Sequence, residues 1–230
     1  VDLIYGLPGQ TVDLWMKDIA TLLEASIDGM DLYQLNVFPH GDLARAVQTG
    51  RVPPCADIAG QADLYHAARD FLTAHGIERL SLCHWRRDPR EHSLYNILAK
   101  TGAVVYPFGC GAGGNVGGIS FMHHRSIEVY HEAIARGEKP IMMMERQKSK
   151  KMRSVSNEII AGLEKGFVDL HRLTSLDTRL EELRILLRIW QTNGLMYENN
   201  NLYHLTADGE FWYVSMTQSM VECAEILMCA

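Results

Sequence analysis

Apolar and polar positions alternate in two rhythms along the first part of the chain. Residues 1–5 form a short apolar run closed by Gly6-Leu7-Pro8-Gly9, which predicts a strand. Thr11 then stands as an N-cap before a helix with Val12, Trp15, Ile19, Leu22 and Leu23 on one face. Asp28-Gly29 ends it. A second strand is expected over 32–38, closed by Pro39-His40-Gly41, followed by a helical turn over 44–47 and a loop over 51–54. A long helix is expected over 57–75, with Ile58, Leu64, Ala68, Phe71 and Leu72 spaced for burial and Gly76 just past its end. A third strand over 77–85 and a charged loop over 86–91 complete the series. Strand and helix in turn, at crossover spacing, predict an α/β fold with a parallel sheet. A fourth strand, 104–108, leads into a glycine-rich segment, 109–118, and a helix over 126–136 stops at Gly137.

Near residue 140 the texture changes. Arg146, Lys148, Lys150, Lys151 and Arg153 form a basic run, read as a solvated linker with the option of meeting anionic groups. Met142-Met143-Met144 before it reads as packing rather than metal binding. Helices follow over 157–164 and 180–190. Residues 194–197 and 201–205 form a hairpin around Glu198-Asn199-Asn200, and a last helix runs over 208–228. Helices, a small wing and another helix describe a winged-helix-like module. Two domains are therefore expected, 1–140 and 141–230.

Composition narrows the class. With 230 residues, 47% hydrophobic and 22% charged, the chain has enough apolar material for a sizeable core. It lacks a low-complexity tract and a membrane-length apolar run, so a soluble protein without a membrane partner is expected. A net charge of −6 argues against a nonspecific nucleic-acid binder, and the winged-helix-like part has no basic recognition helix. The five cysteines are Cys55, Cys83, Cys110, Cys223 and Cys229, an odd count without C-x-x-C spacing. Neither a disulfide framework nor a zinc ribbon fits, and a reduced, cytoplasmic setting is expected. The start at Val1-Asp2, inside a strand-like run, suggests a fragment.

Several residues are placed to carry chemistry. Asp2 is a carboxylate in an apolar parallel strand, costly unless paired or functional. It suits a ribose or a cation, and equally a structural partner. Gln34 and Asn36 are two apart and share a strand face, which suits either a polar ligand or an internal amide network. Gly109-Cys110-Gly111-Ala112-Gly113-Gly114 spells G-x-G-x-x-G after a strand. No helix pattern follows at once, so a dinucleotide fingerprint is rejected. Glycines in this density allow a ligand close to the backbone, or simply a tight turn. His40 and His84 are expected at strand ends, where α/β ligand sites collect. His123 and His124 follow the glycine loop. Any of the four can ligate iron or move a proton, though each alone is more often structural. Cys110 is the one cysteine in an expected site loop.

These segments resemble a known family. Asp2-Leu3-Ile4-Tyr5-Gly6-Leu7-Pro8-Gly9-Gln10-Thr11 is similar to the D-L-I-Y-G-L-P-x-Q-T segment of HemN-like radical S-adenosylmethionine (SAM) enzymes. Leu32-Tyr33-Gln34-Leu35-Asn36-Val37-Phe38-Pro39 and Leu43-Ala44-Arg45 resemble the next strand and its L-A-R. Phe108 to Gly113 resembles the G-x-G-x-G loop, Tyr130 to Gly137 the Y-x-x-x-I-x-x-G helix, and Leu205-Thr206-Ala207-Asp208-Gly209 the L-T-x-x-G of the C-terminal domain. The stretches 81–89 and 92–96 depart from the usual I-S-N-F-A-R-P-G and H-N-x-x-Y-W. In this they look most like the heme-utilisation branch (ChuW/HutW type).

The resemblance implies the later part of a radical SAM partial (β/α) barrel over 1–140, then a HemN-type helical domain. It implies a [4Fe-4S] cluster that reductively cleaves SAM, an electron-donating reductase or flavodoxin, and heme or a related porphyrin as substrate. In the heme branch a methyl group is transferred, the macrocycle is opened and iron is released. The resemblance places SAM contacts at Asp2 and, less closely, at Asn36, Gly113 and Asn115. Gln34, His40, His84 and Cys110 are the candidates for the substrate. The family's C-x-x-x-C-x-x-C cluster motif is not in this sequence, so these residues alone are expected to be inactive. Alternatives are an oxygen-independent coproporphyrinogen dehydrogenase and a heme chaperone that hands heme on unchanged.

Overall fold

The computed structural model describes residues 1–100, 102–146 and 149–229. Its contacts divide the chain into two compact units. One comprises Val1–Ser93, Gly162–Asp169 and Ile185–Gln218; the other comprises Leu94–Ala161, Leu170–Arg184 and Ser219–Ala230.

The first unit opens with β1 (Asp2–Tyr5), α1 (Val12–Glu24) and β2 (Gly29–Gln34). Thr11 caps α1 by accepting a hydrogen bond from the Leu14 amide. β1 and β2 are parallel, with Asp2 opposite Asp31 and Ile4 opposite Tyr33. A short helix, α2 (Asp42–Gln48), precedes α3 (Ile58–Ala74), which is capped by Asp57. Trp15 and Ile19 of α1 are fully buried against Leu64, Ala68 and Leu72 of α3 and Tyr5, Met30 and Leu32 of the sheet. Each buried Leu, Ile or Met side chain among them contributes about 2 kcal/mol by burial. The Trp15 indole N–H also donates to the Leu64 carbonyl at 3.0 Å, tying the two helices together.

The expected third strand does not form as one piece. Residues 77–86 fold back into β3 (Glu78–Arg79) and β4 (His84–Arg86), an antiparallel pair. The amides of Leu80 and Ser81 both donate to the His84 carbonyl, which fixes the bend. The polar residues Glu78, Arg79 and Ser81 explain it. A central strand would bury Glu78, whereas the hairpin leaves it at the surface opposite Arg86, with which it pairs at 2.7 Å. β4 joins β2 antiparallel, giving the order β1-β2-β4-β3. The parallel register expected for the whole sheet is thus confined to β1 and β2.

The second unit begins with α4 (Leu94–Lys100), which the sequence pattern did not predict. Residues 104–108 do not make the expected strand. Pro107 interrupts the ladder, and only Val105 bridges, to Asn115. The glycine-rich segment instead becomes β5 (Gly113–Val116), and Gly117-Gly118, both with positive φ, turn it into β6 (Ile119–His123). Ser126 caps α5 (Ile127–Ala135). β7 (Ile141–Arg146) then pairs antiparallel with β6. The texture change near residue 140 therefore falls inside one three-stranded sheet, β5-β6-β7. Met142, Met143 and Met144 are exposed on β7 rather than packed. The basic run is not a linker: Arg146 ends β7, and Lys150, Lys151 and Arg153 lie in α6 (Lys150–Glu164). Lys148 lies outside the described residues.

The first unit resumes with β8 (Phe167–Val168); α7 (Leu170–Leu176) and a 3-10 turn (Thr178–Glu182) belong to the second. α8 (Leu183–Thr192) leads to β9 (Met196–Asn199) and β10 (Leu202–Leu205). Asn200 and Asn201 both have positive φ, the conformation that a two-residue hairpin turn requires. β8 completes a three-stranded antiparallel wing in the order β8-β10-β9. α9 (Ala207–Cys229) closes the chain, as the sequence predicts. No helix among the described residues is long and apolar enough to cross a membrane.

Candidate functional site

The β1-β2-β4-β3 sheet has two chemically different faces. Neighbours in register share a face. Leu3 and Tyr5 of β1, Met30 and Leu32 of β2 and Trp85 of β4 meet α1 and α3. The opposite face carries Asp2 and Ile4, Asp31 and Tyr33, and His84. Asp2, Ile4 and Tyr33 on that face are exposed.

Asp2, Asp31 and His84 lie in one row across three strands. His84 Nδ1 is 2.8 Å from Asp31 Oδ1, and both residues are buried. On the other side of the ring, His84 Nε2 is 3.4 Å from Glu91 Oε1. That is ion-pair distance, but the contact lacks hydrogen-bond geometry. The hydrogen bond to Asp31 holds the His84 pKa above its ordinary value; burial opposes it, and the charges of Asp31 and Glu91 add to it. Burial, and then the Asp31 carboxylate, push the Tyr33 phenol up to about 12. Glu91 is held in turn by the Ser93 amide, which donates to its Oε1 at 2.6 Å. A Cβ on Gly29 would come within 2.7 Å of Glu91 Cγ and 2.9 Å of the Trp85 carbonyl oxygen, so only glycine fits there.

A pH-dependent stability follows. A raised folded-state pKa contributes stability that is complete below the unfolded value, near 6.5, and is lost as pH rises through the folded one. Thermal melts are expected to show the His84 contribution at pH 6 and its loss toward alkaline pH. His84→Gln should flatten that part of the profile, and an unchanged slope in the variant would refute the assignment.

The sequence-predicted residues separate in the structure. His84 does not sit at the C-terminal end of a parallel strand. It starts an antiparallel one and is enclosed by two carboxylates rather than offered to a ligand. Gln34 lies on the helix-facing side, where its amide donates to Gln61 Oε1 at 2.7 Å while Gln61 donates to the Leu35 carbonyl. The internal amide network is thus what Gln34 makes. Asn36 is exposed beyond the end of β2, at the opposite end of the parallel pair from Asp2. His40 is exposed in the following loop, its carbonyl accepting from Arg45.

In the second unit the glycine loop is fastened to the residues after β6. Cys110 Sγ donates to the carbonyls of His124 and Arg125 at 3.1 and 3.2 Å, and the Gly111 amide donates to His124 at 2.8 Å. His123 Nδ1 donates to the Gly109 carbonyl at 2.9 Å. Gly113 and Asn115 lie in β5, where Asn115 exchanges backbone hydrogen bonds with Val105. Gly114 is required by packing, because a Cβ there would meet the Pro107 ring at 2.5 Å. Asn115 also lines a cavity of about 710 Å³ with Lys150, Arg153, Ser154 and Asn157, a lining suited to an anionic group.

Comparisons with known proteins agree on one relationship. No family model matches the chain. Anaerobilin synthase of Escherichia coli O157:H7 is 37% identical over 228 residues, covering 98% of this chain and 50% of that protein. Heme chaperone HemW of Bacillus subtilis (strain 168) is 27% identical over 167 residues, 72% of this chain and 42% of that one. Among solved structures, coproporphyrinogen III oxidase (HemN) from Escherichia coli, described as a radical SAM enzyme, superposes with a TM-score of 0.71 at 15% identity. The match covers 95% of this chain and 54% of that chain. At that identity the likeness shows the fold. The chain spans about half the length of the curated relatives it matches.

Proposed function

Because the chain belongs to the HemN-like radical SAM family, we propose that the whole protein is an anaerobic heme methyltransferase. It opens the heme macrocycle, transfers a methyl group and releases iron. The observation that carries this reading is the 37% identity to anaerobilin synthase across 98% of the chain, above the identity to the chaperone. The departures at 81–89 and 92–96 support the same branch. A reductase or flavodoxin supplies the electrons.

The residues present divide the cofactors clearly. The open sheet face suits SAM. Asp2 offers an exposed carboxylate that accepts hydroxyl donors, and Ile4 and Tyr33 offer apolar surface beside it. We assign Asp2 as the contact of the first unit with SAM; Asn36, Gly113 and Asn115 rest on the resemblance alone. SAM supplies the methyl group and, when cleaved, a radical. The cluster finds no ligands here. The sequence has no C-x-x-x-C-x-x-C, and the described residues hold no group of three or more His, Cys, Asp or Glu able to grip a metal. The 230 residues alone are therefore expected to show neither [4Fe-4S] absorption nor SAM cleavage after reconstitution. Either signal would overturn that assignment.

Anaerobic incubation of the whole protein with SAM, a reductant and heme tests the function. Loss of the heme Soret band that depends on SAM is expected. Intact heme passed to an acceptor protein would favour a chaperone, and decarboxylation of coproporphyrinogen would favour the dehydrogenase reading.

A further inference from the structure

In the second unit, the β5-β6-β7 sheet carries an open groove of about 450 Å³ that no reading above uses. Its walls include Tyr106, Phe121, Pro140 and Met144, with His123 and Lys139 among them. Tyr106 is 65% exposed and Met144 61% exposed, so large apolar side chains stand uncovered along the groove. Isolated apolar residues on a surface are ordinary, but a row of them beside a groove marks a binding face.

His123 is set into this groove in a particular way. β6 and β7 lose register between Met122 and His123, an irregularity of the kind that re-aims a side chain. Its Nδ1 lies 2.9 Å from the Gly109 carbonyl oxygen. A carbonyl only accepts, so Nδ1 carries the proton, and the neutral ring keeps its lone pair on Nε2. Nε2 makes no hydrogen bond with any described residue, and the ring is flanked by Phe121 and Tyr130 at centroid distances of 6.1 and 5.8 Å. A ring held through one nitrogen by a backbone carbonyl is the usual preparation of an imidazole for a metal at the other.

A bare ion does not fit. No set of three or more ligating side chains occurs among the described residues. A metal that brings its own planar ligand needs only one imidazole from the protein. The apolar walls suit the flat face of such a ligand, and the Lys139 ammonium, which forms no ion pair with a described residue, suits a carboxylate at its edge. Apolar face, single imidazole and rim cation together select one occupant. We infer that this groove binds heme, with His123 Nε2 as the axial ligand to iron and Lys139 beside a propionate. The inference deepens the heme reading and rests on it.

The test is a titration of the whole protein, kept anaerobic, with heme and separately with iron-free protoporphyrin IX. Wild type is expected to bind both and to give the absorption and electron paramagnetic resonance of imidazole-ligated heme. His123→Ala should lose that signature and weaken heme by about tenfold, with protoporphyrin changed by less than about twofold, because only heme uses the imidazole. Added imidazole should restore the signature. Met144→Glu, on an exposed strand position that folding tolerates, should weaken both porphyrins and decides the matter if His123→Ala does not fold. An unchanged heme spectrum and affinity in His123→Ala overturns the inference, as does Met144→Glu that alters self-association and leaves porphyrin binding intact. If such a His123→Ala protein still opens heme, this inference alone falls. If wild type neither binds nor opens heme, the functional reading falls with it.

Discussion

Alanine at position 209 is expected to lower the free energy of unfolding by about 3 kcal/mol, the upper range for forced overpacking. Gly209 is buried in the first turn of α9. A Cβ there would overlap the Leu195 carbonyl oxygen and come within 3.1 Å of Leu205 Cδ2. The carbonyl cannot yield, because it accepts the Thr206 amide at 3.0 Å. Thr206 is pinned from its side chain as well, donating to the Gly194 carbonyl at 2.7 Å and accepting the Gly209 amide at 3.1 Å. The L-T-x-x-G pattern thus has a physical meaning: threonine caps the helix, and glycine lets the cap lie flat against the wing. Gly60→Ala is the control. Its nearest contacts would be 3.4 Å, and alanine is favoured in a helix, so stability should hold or rise by up to about 1 kcal/mol. Urea melts of the two variants decide it, and equal effects would remove the steric explanation.

Glu210→Gln is expected to cost about 3 kcal/mol, the low end for breaking a buried ion pair. Glu210 is only 4% exposed. Its carboxylate meets Arg69 Nε and Arg79 Nη1, each at 2.5 Å, with the Tyr65 hydroxyl at 3.5 Å. Neutralising it leaves two guanidinium groups facing an amide that offers one acceptor oxygen. Both arginines keep partial contact with water, which holds the cost to the low end. Replacing Arg69 alone should cost less, since Arg79 still balances the charge. A Glu210→Gln protein as stable as wild type at pH 7 would show that the pair contributes nothing net.

The sequence was most legible where local chemistry and burial agree. Thr11 caps the helix expected of it, and Asp57 and Ser126, read as the first residues of their helices, prove to be the caps, because a short oxygen at that position meets a free amide wherever the helix later packs. The hairpin before the final helix and that helix were equally plain, although the turn falls at Asn200-Asn201 rather than at Glu198-Asn199-Asn200, because Glu198 and Asn199 pair within β9. Long-range pairing was not. Residues 77–85 carry enough apolar positions for a strand, and only the cross-strand partners of Glu78 and His84 show that they fold back. The two faces of β2 were not legible for a related reason. Starting that strand at Leu32 hid Met30, whose parity with Leu32 and Gln34 assigns the even positions to the helices. Asp31 and Tyr33 then face the open side with Asp2. The alternation Met30, Asp31, Leu32, Tyr33 was the available signal. The Asp31–His84–Glu91 group had no sequence signal, because its members come together only through sheet pairing and a loop. The glycine segment was rightly separated from a dinucleotide fingerprint, since it folds as a hairpin strand.

We propose that the whole protein opens heme with a methyl group from SAM. It is tested most directly by incubating full-length protein anaerobically with ferrous heme, reductant and SAM labelled in its methyl carbon, then analysing the tetrapyrrole by mass spectrometry. The predicted result is an open-chain tetrapyrrole carrying the label, with iron set free. Heme recovered whole, with the label still in SAM, would contradict it.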